Sequence, residues 1–189
     1  MKQKDIREIL FTALSLFLIC AVSAGILAAV NHKTDPIIRT RSEETARAAR
    51  SELLPDAADF EEVALADGSA AYAGTDADGV ICGYVFTTSA SSYGGKLKLM
   101  TGISAAGAVT GVKILEIEDT PGLGMNAKRP EFLAQYDGTD AELTVVKNAE
   151  AGDNEIAAIT SATITSRAVT AAVNAARAGF NELTGEAAS

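Results

Sequence analysis

Hydrophobic and polar positions follow different rhythms along this chain. From Ile9 to Asn31 the run ILFTALSLFLICAVSAGILAAVN carries no charge, and at about 1.5 Å per residue a helix of that length crosses a hydrocarbon layer of roughly 30 Å. A transmembrane helix is expected over 9–31, behind a short N-terminal tail at 1–8. The competing reading is a cleaved signal peptide with VSA at 22–24 as its cleavage site, and an uncleaved span is the working expectation. Lys2, Lys4 and Arg7 precede the run while Lys33, Arg39 and Arg41 follow it, so positive charge leaves the orientation open.

Beyond the span, DPIIRTRSEETARAARSELL (35–54) is rich in Ala, Arg and Glu, with Pro36 at a plausible helix start and Pro55 as a stop. A helical stalk is expected over 32–56. The texture then turns to short β-like segments between Gly, Asp and Ser, and a folded domain is expected over 57–189. GVICGYVFTTSA (79–90) is β-branched and aromatic. KLKLMTGI (96–103) alternates, with Leu97, Leu99, Thr101 and Ile103 on one face, and SSYGG (91–95) supplies the glycines of a hairpin between the two. AVTGVKILEIED (108–119) has apolar residues on both faces, as in a strand covered on both sides, and AELTVVK (141–147) is a further strand candidate.

The period changes again toward the end. Val169, Val173, Ala176, Phe180 and Leu183 recur at spacings of three and four, which predicts an amphipathic helix from about Ser166 to Leu183 packed on the sheet. Another helix is expected around RPEFLAQYDG, after Pro130. The fold class is therefore α+β, a twisted antiparallel sheet with packed helices, preceded by one N-terminal transmembrane helix.

Composition narrows the chemistry. A formal net charge of −9 argues against a nucleic-acid partner, since phosphate neutralisation needs clustered Lys and Arg. With one histidine, His32, and two cysteines, Cys20 and Cys82, in unlike surroundings, the chain offers no disulfide framework, zinc site or iron–sulfur site. No metal ligands and no catalytic acid, base or nucleophile are assigned. Redox chemistry would need an organic cofactor.

Two segments could hold one. In AAITSATITSRAV (157–169) an apolar approach meets Thr160, Ser161, Thr163, Thr165 and Ser166 at a helix entrance, where unsatisfied N–H groups and the helix dipole attract a phosphate. The plainer account makes Thr165 or Ser166 the helix cap and the others turn residues. In EDTPGLGMNAKRPEF (118–132), Pro121, Gly122 and Gly124 build a tight turn around Leu123 that lets backbone approach a flat ligand, or that simply joins strand to helix.

TSAT followed by ITSRAV, with DTPGLG upstream and GYVFTTSASSYGGKLKLMTGI before it, resembles the FMN-binding domain of the G subunit of Rnf-type ion-translocating electron transport complexes. The C subunit of the sodium-pumping NADH:quinone reductase is similar in the same domain. The resemblance implies FMN held by a phosphoester on a threonine, installed by a flavin transferase. The family motif reads Asp, two variable residues, Ser or Thr, Gly, Ala, then Ser or Thr as acceptor. Thr160, Ala162 and Thr163 match it, which makes Thr163 the acceptor, while Ala157 and Ser161 stand in place of Asp and Gly. Thr160, Ser161, Ala162, Thr165 and Ser166 would then surround the phosphate. Thr120, Gly122, Leu123 and Gly124 would lie beside the isoalloxazine ring, and the YGG at 93–95 is a plain hairpin turn.

The implied function is that of a membrane-anchored electron carrier in a ferredoxin:NAD oxidoreductase complex that translocates ions. It would have no independent active site, its partners would be the other subunits, and its domain would lie on the outer face of a prokaryotic membrane. A flavin-free binding or scaffold module of the same fold is the alternative. A stand-alone flavin reductase is disfavoured, because no Gly-rich strand-to-helix turn with a downstream acid offers a nicotinamide site.

Overall fold

The computed structural model describes residues 3–65, 70–147 and 151–185. The chain divides into two compact units, Met1–Thr45 and Ala46–Ser189.

Helix α1 runs from Gln3 to Leu53 and includes Pro36 in its interior. Pro36 was expected to sit at a helix start. The missing proline N–H removes one backbone bond, and the helix-favouring sequence on both sides carries the helix through that loss. The tail expected at 1–8 is likewise helical from Gln3, and residues 1 and 2 lie outside the described residues. The large apolar side chains between Ile9 and Val30 are exposed along the helix, which is long and apolar enough, by length and composition, to cross a membrane. At its other end α1 stops at Leu53, two positions before Pro55, as the restriction on the residue before a proline requires. The Leu53 carbonyl accepts a hydrogen bond from Thr110 Oγ1 at 2.6 Å.

The second unit is built on a meander of five antiparallel strands in sequential order: β1 (Asp59–Ala64), β2 (Ala70–Thr75), β3 (Ile81–Ser91), β4 (Lys96–Ser104) and β5 (Val109–Glu116). β3 and β4 form the hairpin expected around 91–95, with Ser91 opposite Lys96. Alternation sorts the side chains. Phe86, Leu97, Leu99 and Ile103 enter one apolar cluster with Val169, Val173, Ala176 and Phe180 of helix α3 (Thr163–Thr184). Val85 and Met100 face the opposite way, into a second cluster with Ala49, Leu53 and Leu54 at the end of α1. β5 is an edge strand, yet Val112 packs into the first cluster and Leu115 against the second, so both its faces are in contact.

A short 3-10 turn (Gly124–Lys128), helix α2 (Pro130–Leu133) and a second 3-10 turn (Ala134–Tyr136) follow β5, in place of one regular helix around 130. The strand expected at 141–147 does not join the main sheet. Its centre, β6 (Thr144–Val146), pairs in parallel with β7 (Glu155–Ala157). β7 then delivers the chain to α3.

One buried polar chain fixes α3 along its axis. Tyr136 is fully buried, and its hydroxyl lies 2.8 Å from Thr170 Oγ1, which donates in turn to the Ser166 carbonyl at 3.0 Å. Burial pushes the Tyr136 ionisation far above the usual tyrosine range, so the hydroxyl stays protonated and donates to Thr170. Tyr136→Phe removes this bond at nearly constant volume. The expected cost is about 1 kcal/mol, read as a lower denaturation midpoint at unchanged slope. An unchanged midpoint would mean that the buried pair contributes nothing net.

Candidate functional site

Three segments meet at one end of the main sheet. The first is the β3–β4 turn, where the Ser92 N–H donates to the Gly95 carbonyl at 2.8 Å. The second is the exit from β5, where Ile117 and Asp119 are both buried two residues apart and the chain turns at Thr120. The Thr120 carbonyl accepts from the N–H groups of Leu123 (3.2 Å) and Met125 (3.3 Å), which winds TPGLG into a compact loop. Asn126 Nδ2 secures the loop on the Gly122 carbonyl at 2.8 Å. The third is the entrance to α3.

That entrance is bent by Ser161, whose φ of +64° is left-handed. A non-glycine residue there carries strain of about 1 kcal/mol, and the family resemblance places glycine at this position. After the bend the Ala162 N–H donates to the Ile159 carbonyl at 3.0 Å. Ala162 is the N-cap of α3 and provides no side-chain cap, so neither Thr165 nor Ser166 caps the helix. The first i to i−4 bond is from Ser166 N–H to the Ala162 carbonyl, and the N–H groups of Thr163, Ile164 and Thr165 precede it. These donors, at the positive end of a 22-residue helix, suit an anion.

The hydroxyls crowded into this stretch have separate tasks. Ser166 is buried, and its Oγ accepts from the Ile159 N–H (3.0 Å) and donates to the Ala162 carbonyl (3.1 Å). It pins the turn and does not line the cleft, contrary to its expected place beside the phosphate. Thr165 is 1% exposed and donates to Asp119 Oδ2 at 2.5 Å. Thr160 is exposed and lies outside the cleft lining. Thr163, half-buried, is left facing the cleft.

The cleft itself has a volume of about 450 Å³, within the range of small-molecule sites. Thr120, Leu123 and Gly124 form one wall; Ser161, Ala162, Thr163 and Thr165 form another. Gly122, expected beside a ring, lies outside the lining, where its φ of +77° serves the turn. Gly124 lines the cleft for a reason other than ligand approach. A Cβ there would lie 2.6 Å from both Asp119 Oδ2 and Thr165 Oγ1, so glycine is needed for the loop to seat on them.

Sequence reading missed Tyr93, Asp119 and Ile164. Tyr93 and Ile164 are 72% and 56% exposed at the rim, and with Leu123 (43% exposed) they give the cleft apolar margins. The YGG segment therefore does more than turn the chain. Asp119 is 3% exposed and accepts from Ser92 Oγ (2.5 Å), the Gly94 N–H (2.6 Å) and Thr165 Oγ1 (2.5 Å). Burial alone would raise its pKa, but the hydrogen bonds from Ser92, Thr165 and Gly94 outweigh that and hold the carboxyl below the usual range. An available signal was the continued alternation from Ile117 to Asp119, which points the acid inward.

A concave site with uncapped helix N–H groups and a threonine hydroxyl on one side, and apolar rims on the other, fits a group that joins a phosphate to a flat apolar ring. Among the described residues no cluster of His, Cys, Asp and Glu could hold a metal ion.

Comparison with known proteins gives concordant results. Residues 92–178 match the FMN-binding domain family. The G subunit of the Na(+)-translocating ferredoxin:NAD(+) oxidoreductase complex of Acetobacterium woodii is 40% identical, over 91% of this chain and 91% of that one. The G subunit of the ion-translocating oxidoreductase complex of Methanosarcina acetivorans is 33% identical over 91% and 94% respectively. Among solved structures, Shewanella oneidensis NqrC matches with a TM-score of 0.54 at 18% identity, over 71% of this chain and 72% of that one, a likeness of fold.

The seat of the TPGLG loop is testable apart from any ligand. Gly122→Ala meets no neighbour within 4 Å and carries only the strain of its positive φ, about 1 kcal/mol. Gly124→Ala must displace Asp119 and Thr165, and a loss of about 2–3 kcal/mol is expected. Paired denaturation curves separate the two, and equal losses would show that contact with Asp119 is not what requires Gly124.

Proposed function

The chain belongs to the family of G subunits of Rnf-type ion-translocating oxidoreductase complexes, and from that membership we propose a membrane-anchored flavoprotein that relays electrons through FMN esterified to Thr163. The observation that carries this reading is the cleft. It sets the half-buried Thr163 hydroxyl at an uncapped helix N-terminus opposite the Thr120–Gly124 loop, all within the matched segment.

In this reading residues 9–31 span the membrane, 32–56 are the stalk, and 57–189 form the FMN domain on the outer face. The other subunits of the complex are its electron-transfer partners, and a flavin transferase matures it. Thr163 Oγ1 would be the acceptor of the phosphoester, at the uncapped N-terminus of α3.

When bound, FMN supplies reversible electron transfer. The residues around it bind and orient. The N–H groups of the first turn of α3 would oppose the phosphate charge, with Ser161 beside them at the cleft wall. Leu123, with Thr120 and Gly124 in the same wall, would cover part of the ring. No side chain has to exchange a proton with a substrate, so the protein contributes position and electrostatics.

Co-production with a flavin transferase, followed by intact-mass measurement and in-gel fluorescence of the denatured chain, tests the attachment. The wild type should gain the mass of one FMN less one water, and Thr163→Ala should lose both mass and fluorescence. Retention in Thr163→Ala with loss in Thr165→Ala would move the acceptor. A colourless wild type with no mass gain would favour the flavin-free scaffold.

Leu123→Ala should leave attachment intact while shifting the flavin absorption maximum or midpoint potential, by an energy on the order of 1 kcal/mol for one apolar side chain. Spectroelectrochemical titration beside the wild type measures this. An identical spectrum and potential would remove Leu123 from the ring contact.

A further inference from the structure

One buried acid has no part in attachment or electron transfer as described above, yet all three walls of the cleft converge on it. Asp119 Oδ2 receives Ser92 Oγ and Thr165 Oγ1, and Oδ1 receives the Gly94 N–H. These donors come from the β3–β4 turn and from α3, while the carboxylate belongs to the segment leading into the TPGLG loop. The packing around it admits no slack: a Cβ on Gly94 would lie 2.2 Å from the Glu118 carbonyl oxygen, and one on Gly124 would lie 2.6 Å from Asp119 Cβ. Two glycines from different segments are thus pressed against the same short stretch of backbone and side chain.

We propose that Asp119 is the positioning residue of the flavin cleft. It holds the Tyr93 turn, the Thr120–Gly124 loop and the α3 entrance in register through Ser92, Gly94 and Thr165, and it engages the Thr165 hydroxyl so that Thr163 alone among the α3-entrance threonines faces the cleft unengaged. This inference rests on the flavin reading above.

The geometry has two separable consequences. Mechanically, losing one hydrogen bond frees one wall, and a ring seated between the walls gains motion. Electrostatically, Asp119 lines the cleft and its carboxylate is held ionised, so its negative charge opposes the charge added when a nearby flavin is reduced. At an effective dielectric of about 20, a unit charge roughly 12 Å from the added charge changes the reduction equilibrium by a factor of about ten, and a closer one by more; tenfold equals about 30 mV for a two-electron couple.

The experiment compares the full-length wild type with Asp119→Asn, Asp119→Glu, Thr165→Val and Ser92→Ala, each co-produced with the transferase. Peptide mass mapping gives the attachment site, flavin fluorescence anisotropy gives ring mobility, and spectroelectrochemical titration gives the potential. Asp119→Asn should lower the anisotropy and raise the potential by the factor just given. Thr165→Val should lower the anisotropy without raising the potential, because the charge remains, and Asp119→Glu should recover the wild-type potential. Any flavin found on Thr165 in Asp119→Asn also supports the proposal.

A folded, flavinylated Asp119→Asn with wild-type anisotropy and potential overturns it. If Asp119→Asn fails to fold, the two hydroxyl deletions decide, and wild-type anisotropy in both overturns the proposal. A wild type that carries no flavin overturns the flavin reading and this inference with it, whereas a flavinylated wild type indistinguishable from the variants overturns this inference alone.

Discussion

An ionised carboxylate withdrawn from water is costly unless donors replace the water it loses, and Asp119 finds all of its replacements in other segments. That requirement reaches back into the sheet. Ser91 opposite Lys96 sets the β3–β4 turn at the same end of the sheet where Lys98 lies opposite Glu116 at the end of β5. A slip of one residue in either register would carry Ser92 and Gly94 away from Asp119 and also turn Leu97 and Leu99 out of the core. The carboxylate and the apolar alternation therefore select the same register. Each makes the other's alternative more costly.

The third donor depends on a helix held from the far side of the core. Val169, Val173, Ala176 and Phe180 seat α3 on the face of the sheet that carries Phe86, Leu97, Leu99 and Ile103. Apolar packing fixes the tilt and depth of a helix better than its position along its own axis, because sliding by a turn brings an equivalent stripe into place. Directional bonds remove that freedom. Tyr136 to Thr170 acts in the first half of α3, Thr165 to Asp119 acts at its entrance, and the Thr88 hydroxyl donates to the Ala172 carbonyl at 2.8 Å. The cleft is thus formed between parts whose relative positions are fixed by bonds of known direction.

Periodicity made the central fold readable. The three-and-four spacing after Ser166 follows from one-sided burial of α3, and the alternation in 96–103 marks the face of β4 that packs on α3, although Met100 is buried on the opposite face as well. β1 and β2 were not assigned, since DFEEVA is dominated by acids at an exposed edge and AAYAGT by small residues, so neither shows a strong alternation. Pro36 misled because its local preference was opposed by long helix-favouring sequence on either side. At the site, the TPGLG loop and the hydroxyl-rich entrance were legible as unusual local composition. For Asp119 the alternation with Ile117 shows only that the acid points inward; its partners lie 25, 27 and 46 residues away in sequence, and no local pattern records which groups it meets.

The same difference between local and distant constraints accounts for the crowding of hydroxyls at 160–166. The entrance of α3 has no side-chain cap, so the turn before it has to be stabilised by other means. Ser166 does this from inside the helix, reaching back to Ile159 and Ala162, and the left-handed Ser161 turns the chain sharply enough for that reach. Glycine at 161 would adopt this φ without strain, while serine accepts about 1 kcal/mol for it and adds a polar side chain at the cleft wall. Thr165 is engaged by Asp119, which leaves its backbone N–H, but not its hydroxyl, for the cleft. Three neighbouring hydroxyl residues thus hold the entrance open, bend it and tie it down, and Thr163 remains the one whose hydroxyl the surrounding structure presents to the cleft.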